Sequence, residues 1–235
     1  MKLVSFVNNL KPKVGIFSGK KIVEINCSMI EALSCTNIDE MEKLNSYNIE
    51  DVKICSPVKP SKIVCVGLNY TDHAKELGME LPSEPVIFIK PSTAMIGHLD
   101  TILYPGSSSQ VDYEAELGIV ISKEAYHVSG DDASDFIGGY TIVNDVTARD
   151  KQRKDVQWTR AKSYDTFAPV GPCIETVMDP LDQMISLRLN NELKQSSNTK
   201  NMIFKVNELV EFISSIMTLL PGTLLQLAHH QEWGQ

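Results

Sequence analysis

Nothing in these 235 residues approaches the roughly 20-residue apolar run that a membrane-spanning helix needs, so no such anchor is expected. The first residues, MKLVSFVNNLKPK, lack a long apolar stretch and a small-residue cleavage site, and no signal peptide is read there. Cysteine is sparse: Cys27, Cys35, Cys55, Cys65 and Cys173 are odd in number, scattered, and form no C-x-x-C pair. That usage points to reduced thiols and a cytoplasmic protein rather than a disulfide framework. Basic residues are in deficit, 22 against 30 acidic ones, for a net charge of −8. The deficit argues against nucleic acid or an anionic membrane as the main partner. Internal repeats, low-complexity segments and a regular βα alternation are also missing, and the last absence excludes a doubly wound sheet.

What remains is a globular chain, 43% hydrophobic, with enough apolar residues for a core. Residues 1–57 read as a small β-rich region in which VGIF (14–17) and KIVEI (21–25) flank a Ser18-Gly19-Lys20 turn. The polar stretch 36–50 reads as loop and short helix. Pro57 and Pro60 mark a boundary, and the main domain follows from residue 58. Its expected strands are KIVCVGLNY (62–70), PVIFIK (85–90), DYEAELGIVIS (112–122), GGYTIVNDVTARD (138–150) and ISLRLNN (185–191). Helical turns are expected at 71–78 and 131–136. A longer helix over 206–220 follows from apolar residues at 206, 209, 210, 213, 216, 217 and 220.

Two of these strands carry acids that burial penalises. Alternation along a strand points Asp112, Glu114 and Glu116 to one side. Like charges at that spacing repel and are driven to protonate unless a cation compensates, and Asp145 lies in the second acidic segment. A divalent cation held by oxygen ligands is the simplest compensation, although an E-x-E pair alone is more often a solvated face. His73 and Glu76, three apart on a helical turn, face one side; the spacing alone more often describes a casual surface pair.

The motifs GLNYTDHAKE (67–76), FIK (88–90), DYEAELGIVI (112–121), GGYTIVNDVTARDKQ (138–152), RAKSYDTFAPVGP (160–172) and a helix ending in LLPG (219–222) resemble, in order, the fumarylacetoacetate hydrolase superfamily. The resemblance covers about residues 60–222. It implies an α+β, β-dominated fold, a mixed β-sheet roll with a small N-terminal region, and a homodimer. It implies that Glu114, Glu116 and Asp145 bind Mg²⁺ or Mn²⁺, which hard oxygen ligands suit. His73 and Glu76 match the acid/base dyad of a lid, in which Glu76 orients His73. Lys162 matches the lysine that polarises a substrate carbonyl or protonates an enolate, and a nearby metal would lower its pKa.

Arg149, Gln152 and Tyr70 are the expected substrate contacts. Arg149 fits a substrate carboxylate or, equally, Asp150 or Asp112, while Tyr70 and Phe88 read as pocket walls. Asp112 is assigned a supporting part. The implied substrates are small 2-oxo acids, with hydrolytic C–C cleavage of an acylpyruvate type first. Oxaloacetate decarboxylation and hydration or isomerisation of 2-hydroxydienoates are alternatives through the same enolate. A non-catalytic remnant that folds and dimerises is the reading from another class.

After Gly222 the pattern breaks. The resemblance implies an Asp, an apolar strand and a Gly-Thr-Pro, Gly-Val-Gly loop, but the chain reads TLLQLAHHQEWGQ. One base inserted after codon 222, in a permitted codon assignment, converts residues 222–235 to Gly-Asp-Ile-Ile-Thr-Thr-Gly-Thr-Pro-Pro-Gly-Val-Gly-Pro. Residues 223–235 are therefore expected to be out of frame, with the catalytic domain of 58–222 incomplete and sheet edges exposed. His229, His230 and Glu232 then form an accidental cluster.

Overall fold

The computed structural model describes residues 1–71 and 81–228. The expected 71–78 helix, with His73 and Glu76, and the cluster of His229, His230 and Glu232 lie outside the described residues. The frame is a mixed eleven-stranded sheet. Its strands are β1 (Lys2–Asn8), β2 (Lys11–Ser18), β3 (Lys21–Ile25), β4 (Lys43–Asn48), β5 (Lys53–Ile54), β6 (Ile63–Gly67), β7 (Val86–Lys90), β8 (Ala115–Ile121), β9 (Ile137–Asn144), β10 (Ile174–Glu175) and β11 (Leu224–Gln226). They lie in the order β4-β3-β2-β1-β10-β9-β8-β11-β6-β7, with β5 pairing β1. Within this sheet β11 and β6 run parallel, and the other neighbours run antiparallel. Among the described residues the α-helices are α1 (Met29–Ser34), α2 (Arg149–Lys154), α3 (Thr159–Lys162) and α4 (Val206–Ile216).

The central strands are apolar on both faces, and their alternation sorts residues into two cores. Val64, Val66, Leu117, Ile119, Ile121 and Leu225 turn to one side, where α4 packs Val206, Leu209, Val210 and Ile213 against them. Ile63, Cys65, Val120 and Leu224 turn to the other, toward Met29, Ala32 and Leu33 of α1. Glu116 shares the parity of Val120, so it projects on this second side. Helix α1 begins with a capping box, Ser28 Oγ accepting from the Glu31 N–H while the Glu31 carboxylate accepts from the Ser28 N–H.

Several expectations change. The polar stretch 36–50 contains strand β4 besides a short 3-10 turn at Ile38–Glu40. Strand β4 is an exposed edge, and its polar residues give no alternation to read. The 131–136 turn is a 3-10 helix at Ala133–Phe136. Helix α4 stops at Ile216, and Leu219 instead bridges Ala125. The acidic segment expected as one strand breaks at residues 113–114: Val111–Asp112 pairs with Thr147–Ala148 in a separate ribbon before β8 starts.

The sheet runs through both boundaries drawn from the sequence. Leu3 pairs with Ile174, joining the first 57 residues to the rest. Leu224 pairs with Ile63 and with Val120, so residues just past Gly222 fill the sheet between β6 and β8. Thr223 through Leu227 are buried.

Candidate active site

The acidic residues meet because their segments are antiparallel neighbours. Ala115 pairs with Asn144 at the start of β8, and Thr147 pairs with Asp112 beyond the break. Asp145, one residue past β9, donates its N–H to the Glu114 carbonyl at 2.8 Å. Glu114, Glu116 and Asp145 are all buried, and one carboxylate oxygen from each lies within 4.8 Å of the others. The separation of Glu114 and Glu116 by two residues therefore does bring them together, despite the break in the strand.

Three cations surround Glu114 and Asp145. Lys162, at the end of α3, sets Nζ 2.5 Å from Asp145 Oδ2 and 3.2 Å from Glu114 Oε2. Lys90, the last residue of β7, sets Nζ 2.6 Å from Asp145 Oδ1. It also donates to the carbonyls of Val146 and Phe167, at 3.0 and 2.5 Å. Arg149 reaches Glu114 Oε1 at 2.5 Å and Asp112 Oδ2 at 2.8 Å. Its remaining Nη1 donates to Gln152 Oε1 at 2.6 Å. Of the structural partners weighed for Arg149, Asp112 is engaged, and Asp150 instead takes Lys151 and Ser108.

Glu116 stands apart. Burial pushes its carboxyl well above the usual range, and the charges of Asp145 and Glu114 add to that push. Its Oε2 has no hydrogen-bond partner among the described residues. Burial pulls the Lys162 pKa down, but the charges of Asp145 and Glu114 outweigh burial and hold the ammonium protonated.

The donor set fits a hard divalent cation: carboxylate oxygens only, converging, one of them buried without a partner. Glu114, Glu116 and Asp145 would hold it. Lys162 lies against two of these three carboxylates.

Around the acids the walls are apolar. Tyr70 is 1% exposed, within the core on the α4 side, and its phenol is pushed up by burial and by the Glu116 charge. Lys162 Nζ lies 5.1 Å from the centre of the Phe88 ring, and Trp158 meets that ring edge-on at 5.4 Å. A Cβ on Gly67 would stand 3.0 Å from the Trp158 ring, so glycine at this position lets the indole lie against β6. Phe88, Trp158, Val86, Ile89 and Val156 border an open groove of ≈ 820 Å³.

Sequence reasoning missed Lys90 and Trp158 as parts of this neighbourhood. The signal for Lys90 was its position at the end of the apolar run VIFIK, where a buried lysine requires a partner. Trp158 gave none, because it sits in a short polar segment.

Known proteins share this arrangement of chain. The family model described as fumarylacetoacetate (FAA) hydrolase C-terminal matches residues 62–227. An uncharacterized protein of Methanocaldococcus jannaschii is 53% identical over 206 residues, 87% of this chain and 80% of that protein. The mitochondrial oxaloacetate tautomerase Fahd2a of Rattus norvegicus is 42% identical over 179 residues, 74% of this chain and 57% of that protein. Among solved structures, 2-hydroxyhepta-2,4-diene-1,7-dioate isomerase from Mycobacterium marinum matches with a TM-score of 0.86 and 38% identity, covering 99% of this chain and 88% of that one. Maleylpyruvate hydrolase from Sphingobium sp. SYK-6, in complex with manganese(II) and pyruvate, matches with a TM-score of 0.78 and 25% identity, covering 97% and 88%.

Proposed function

The chain belongs to the fumarylacetoacetate hydrolase family, and from that membership we propose a divalent-metal-dependent enzyme that moves a proton on a small 2-oxo acid, interconverting its keto and enol forms. The observation that carries the reading is the buried convergence of Glu114, Glu116 and Asp145 with the Lys162 ammonium among them. The neighbour holding manganese(II) and pyruvate supports both the metal and the 2-oxo acid. A bound Mg²⁺ or Mn²⁺ would supply Lewis-acid polarisation of the substrate oxygens.

The protein's own groups supply the rest. Lys162, kept charged by Asp145 and Glu114, presents a proton donor to the substrate's 2-keto oxygen and stabilises negative charge gathering there. Arg149 orients Glu114, and Gln152, whose Oε1 accepts from Arg149, donates through Nε2 to a substrate carboxylate. Tyr70 walls the site from the core side. His73, oriented by Glu76, moves the proton at C3. Phe88 and Trp158 exclude water from the Lys162 side.

Tautomerisation or isomerisation is favoured because the relatives carrying those names are 42% and 38% identical, against 31% and 25% for the two solved hydrolases. Hydrolytic C–C cleavage of an acylpyruvate is the second reading, since it begins at the same proton-transfer centre and adds one activated water. The test is a Mn²⁺-loaded assay of oxaloacetate enol decay, oxaloacetate decarboxylation and acetylpyruvate cleavage. Enol decay above the buffer rate supports the proposal. Acetylpyruvate cleavage without it favours the second reading, and inactivity throughout a 2-oxo acid panel overturns both.

The out-of-frame origin of residues 223–235 is proposed on three details of their fit. Thr223 Oγ1 and Gln226 Nε2 are buried without hydrogen-bond partners among the described residues. Ala228 has φ 42, a conformation glycine takes freely, and the restored frame puts glycine there. Sequencing the DNA across codons 222–228 decides it, and codons that cannot be reframed by one base end the idea.

A further inference from the structure

Between the Val111–Asp112 ribbon and β8, residues 113 and 114 belong to no ladder, yet Glu114 is one of the converging carboxylates. Buried backbone groups at such a break must find partners elsewhere. The Glu114 N–H donates to Asn144 Oδ1 at 3.0 Å, and the Glu114 carbonyl accepts from the Asp145 N–H at 2.8 Å. The two flanking groups go to one side chain. The Ala115 N–H donates to Gln195 Oε1 at 2.9 Å, and Gln195 Nε2 donates to the Tyr113 carbonyl at 3.3 Å.

Gln195 comes from a hairpin outside the main sheet, Met184–Leu189 paired with Glu192–Asn198. The hairpin turns at Asn190 and Asn191, both at positive φ, as a tight two-residue turn requires. Met184, Leu189 and Leu193 on this hairpin are exposed, whereas Gln195 is 2% exposed. A carboxamide carries the same donor and acceptor as a peptide group. Gln195 therefore completes the missing rung of the ladder on either side of Glu114.

We propose that Gln195 is a positioning residue for the acidic centre: its amide fixes the backbone at Tyr113 and Ala115, and so aims Glu114 and Glu116 at Asp145. This inference rests on the metal-dependent reading above for its effect on Mn²⁺, but not for its effect on the backbone. The bland alternative is that Gln195 only docks the hairpin. Ile185, buried on the same hairpin, separates the two, because Ile185→Ala loosens docking while leaving the amide in place. The hairpin strand Met184–Leu189 packs on β8, so this comparison acts on the same interface.

The experiment measures the Mn²⁺ dissociation constant by EPR titration, with hydrogen exchange at the Asp145 N–H, for wild type, Gln195→Met and Ile185→Ala. Gln195→Met is expected to weaken Mn²⁺ binding about ten-fold or more, as losses of residues supporting a metal ligand do. It should also speed exchange at Asp145, whose N–H depends on the placement of the Glu114 carbonyl. Ile185→Ala should lower the thermal midpoint and leave Mn²⁺ binding unchanged. Wild-type affinity in folded Gln195→Met, or an equal loss in Ile185→Ala, overturns the proposal. If wild type binds no Mn²⁺, the metal reading fails and Asp145 exchange alone decides, unchanged protection in Gln195→Met overturning the positioning role. If Gln195→Met does not fold, Gln195→Asn replaces it: the carboxamide stays but is one methylene too short to reach both backbone groups, and wild-type affinity and exchange again overturn the proposal.

Discussion

Lys90 and Asp145 form an ion pair closed to solvent, with Nζ 2.6 Å from Oδ1 and side chains that are 0% and 2% exposed. The lysine gives its other contacts to two backbone carbonyls, Val146 and Phe167, so it ties β7 to the loops around the acidic centre. Removing Lys90 takes the cation from Asp145 Oδ1 and the donor from the Val146 carbonyl, while Lys162 stays on Asp145 Oδ2 and the Val146 N–H stays on the Phe167 carbonyl at 3.2 Å. Lys90→Met is expected to cost about 3 kcal/mol of stability. Urea denaturation of metal-free protein measures it, and a loss below about 1 kcal/mol would show the pair to be dispensable.

Glu116→Ala should abolish Mn²⁺ binding, because it removes the acid whose Oε2 has no other partner among the described residues. In wild type, Mn²⁺ at 100 times its dissociation constant should add about 2.7 kcal/mol to stability. Calorimetry with and without Mn²⁺ checks both statements; an undiminished shift in the variant would remove Glu116 from the ligand set.

Lys162→Met should separate binding from catalysis. The ammonium lies on Glu114 and Asp145, so its loss leaves both carboxylates freer to bind Mn²⁺, and affinity should hold or rise. Turnover should fall about 10²-fold or more with the loss of the charge facing the substrate oxygen. Weaker Mn²⁺ binding with unchanged turnover would invert the assignment.

His73→Ala should spare Mn²⁺ affinity and suppress turnover by about 10²- to 10⁴-fold, the usual range for a general acid–base group. Retained full turnover would remove the dyad with Glu76 from the reaction.

Ala228→Gly should stabilise the chain by about 0.5–1 kcal/mol, since Ala228 sits at φ 42, where a Cβ is disfavoured by about 1–2 kcal/mol and glycine's greater unfolded freedom offsets part of the gain. A denaturation midpoint below wild type would show that the residue is not strained.

The central strands and α4 were legible because burial on defined faces leaves a period in the sequence. The acids were legible for the opposite reason: Glu114, Glu116 and Asp145 break an apolar pattern. Lys162 and Arg149 were found through neighbouring motifs, but their partners were not, because ion pairing is set by which loops meet. Nothing in PVIFIK says that Lys90 reaches Val146 and Phe167. Strand β4 escaped because an exposed edge needs no apolar face, and the break at 113–114 escaped because its backbone is satisfied by Gln195, some eighty residues later in the chain.

Strand β11 has a temporal consequence. In the sheet it lies between β6 and β8, joining the pair that carries Lys90 to the strands that carry the acids. A ribosome that has released everything up to Gly222 has therefore delivered the three acids and their countercharges, but not the strand that joins the two halves of the sheet. During synthesis the β6–β7 pair that carries Lys90 has no sheet pairing to β8 until residues 224–226 emerge. Nascent chains halted before that point should expose unpaired edges on β6 and β8, the state in which chaperones and proteases have the most to hold.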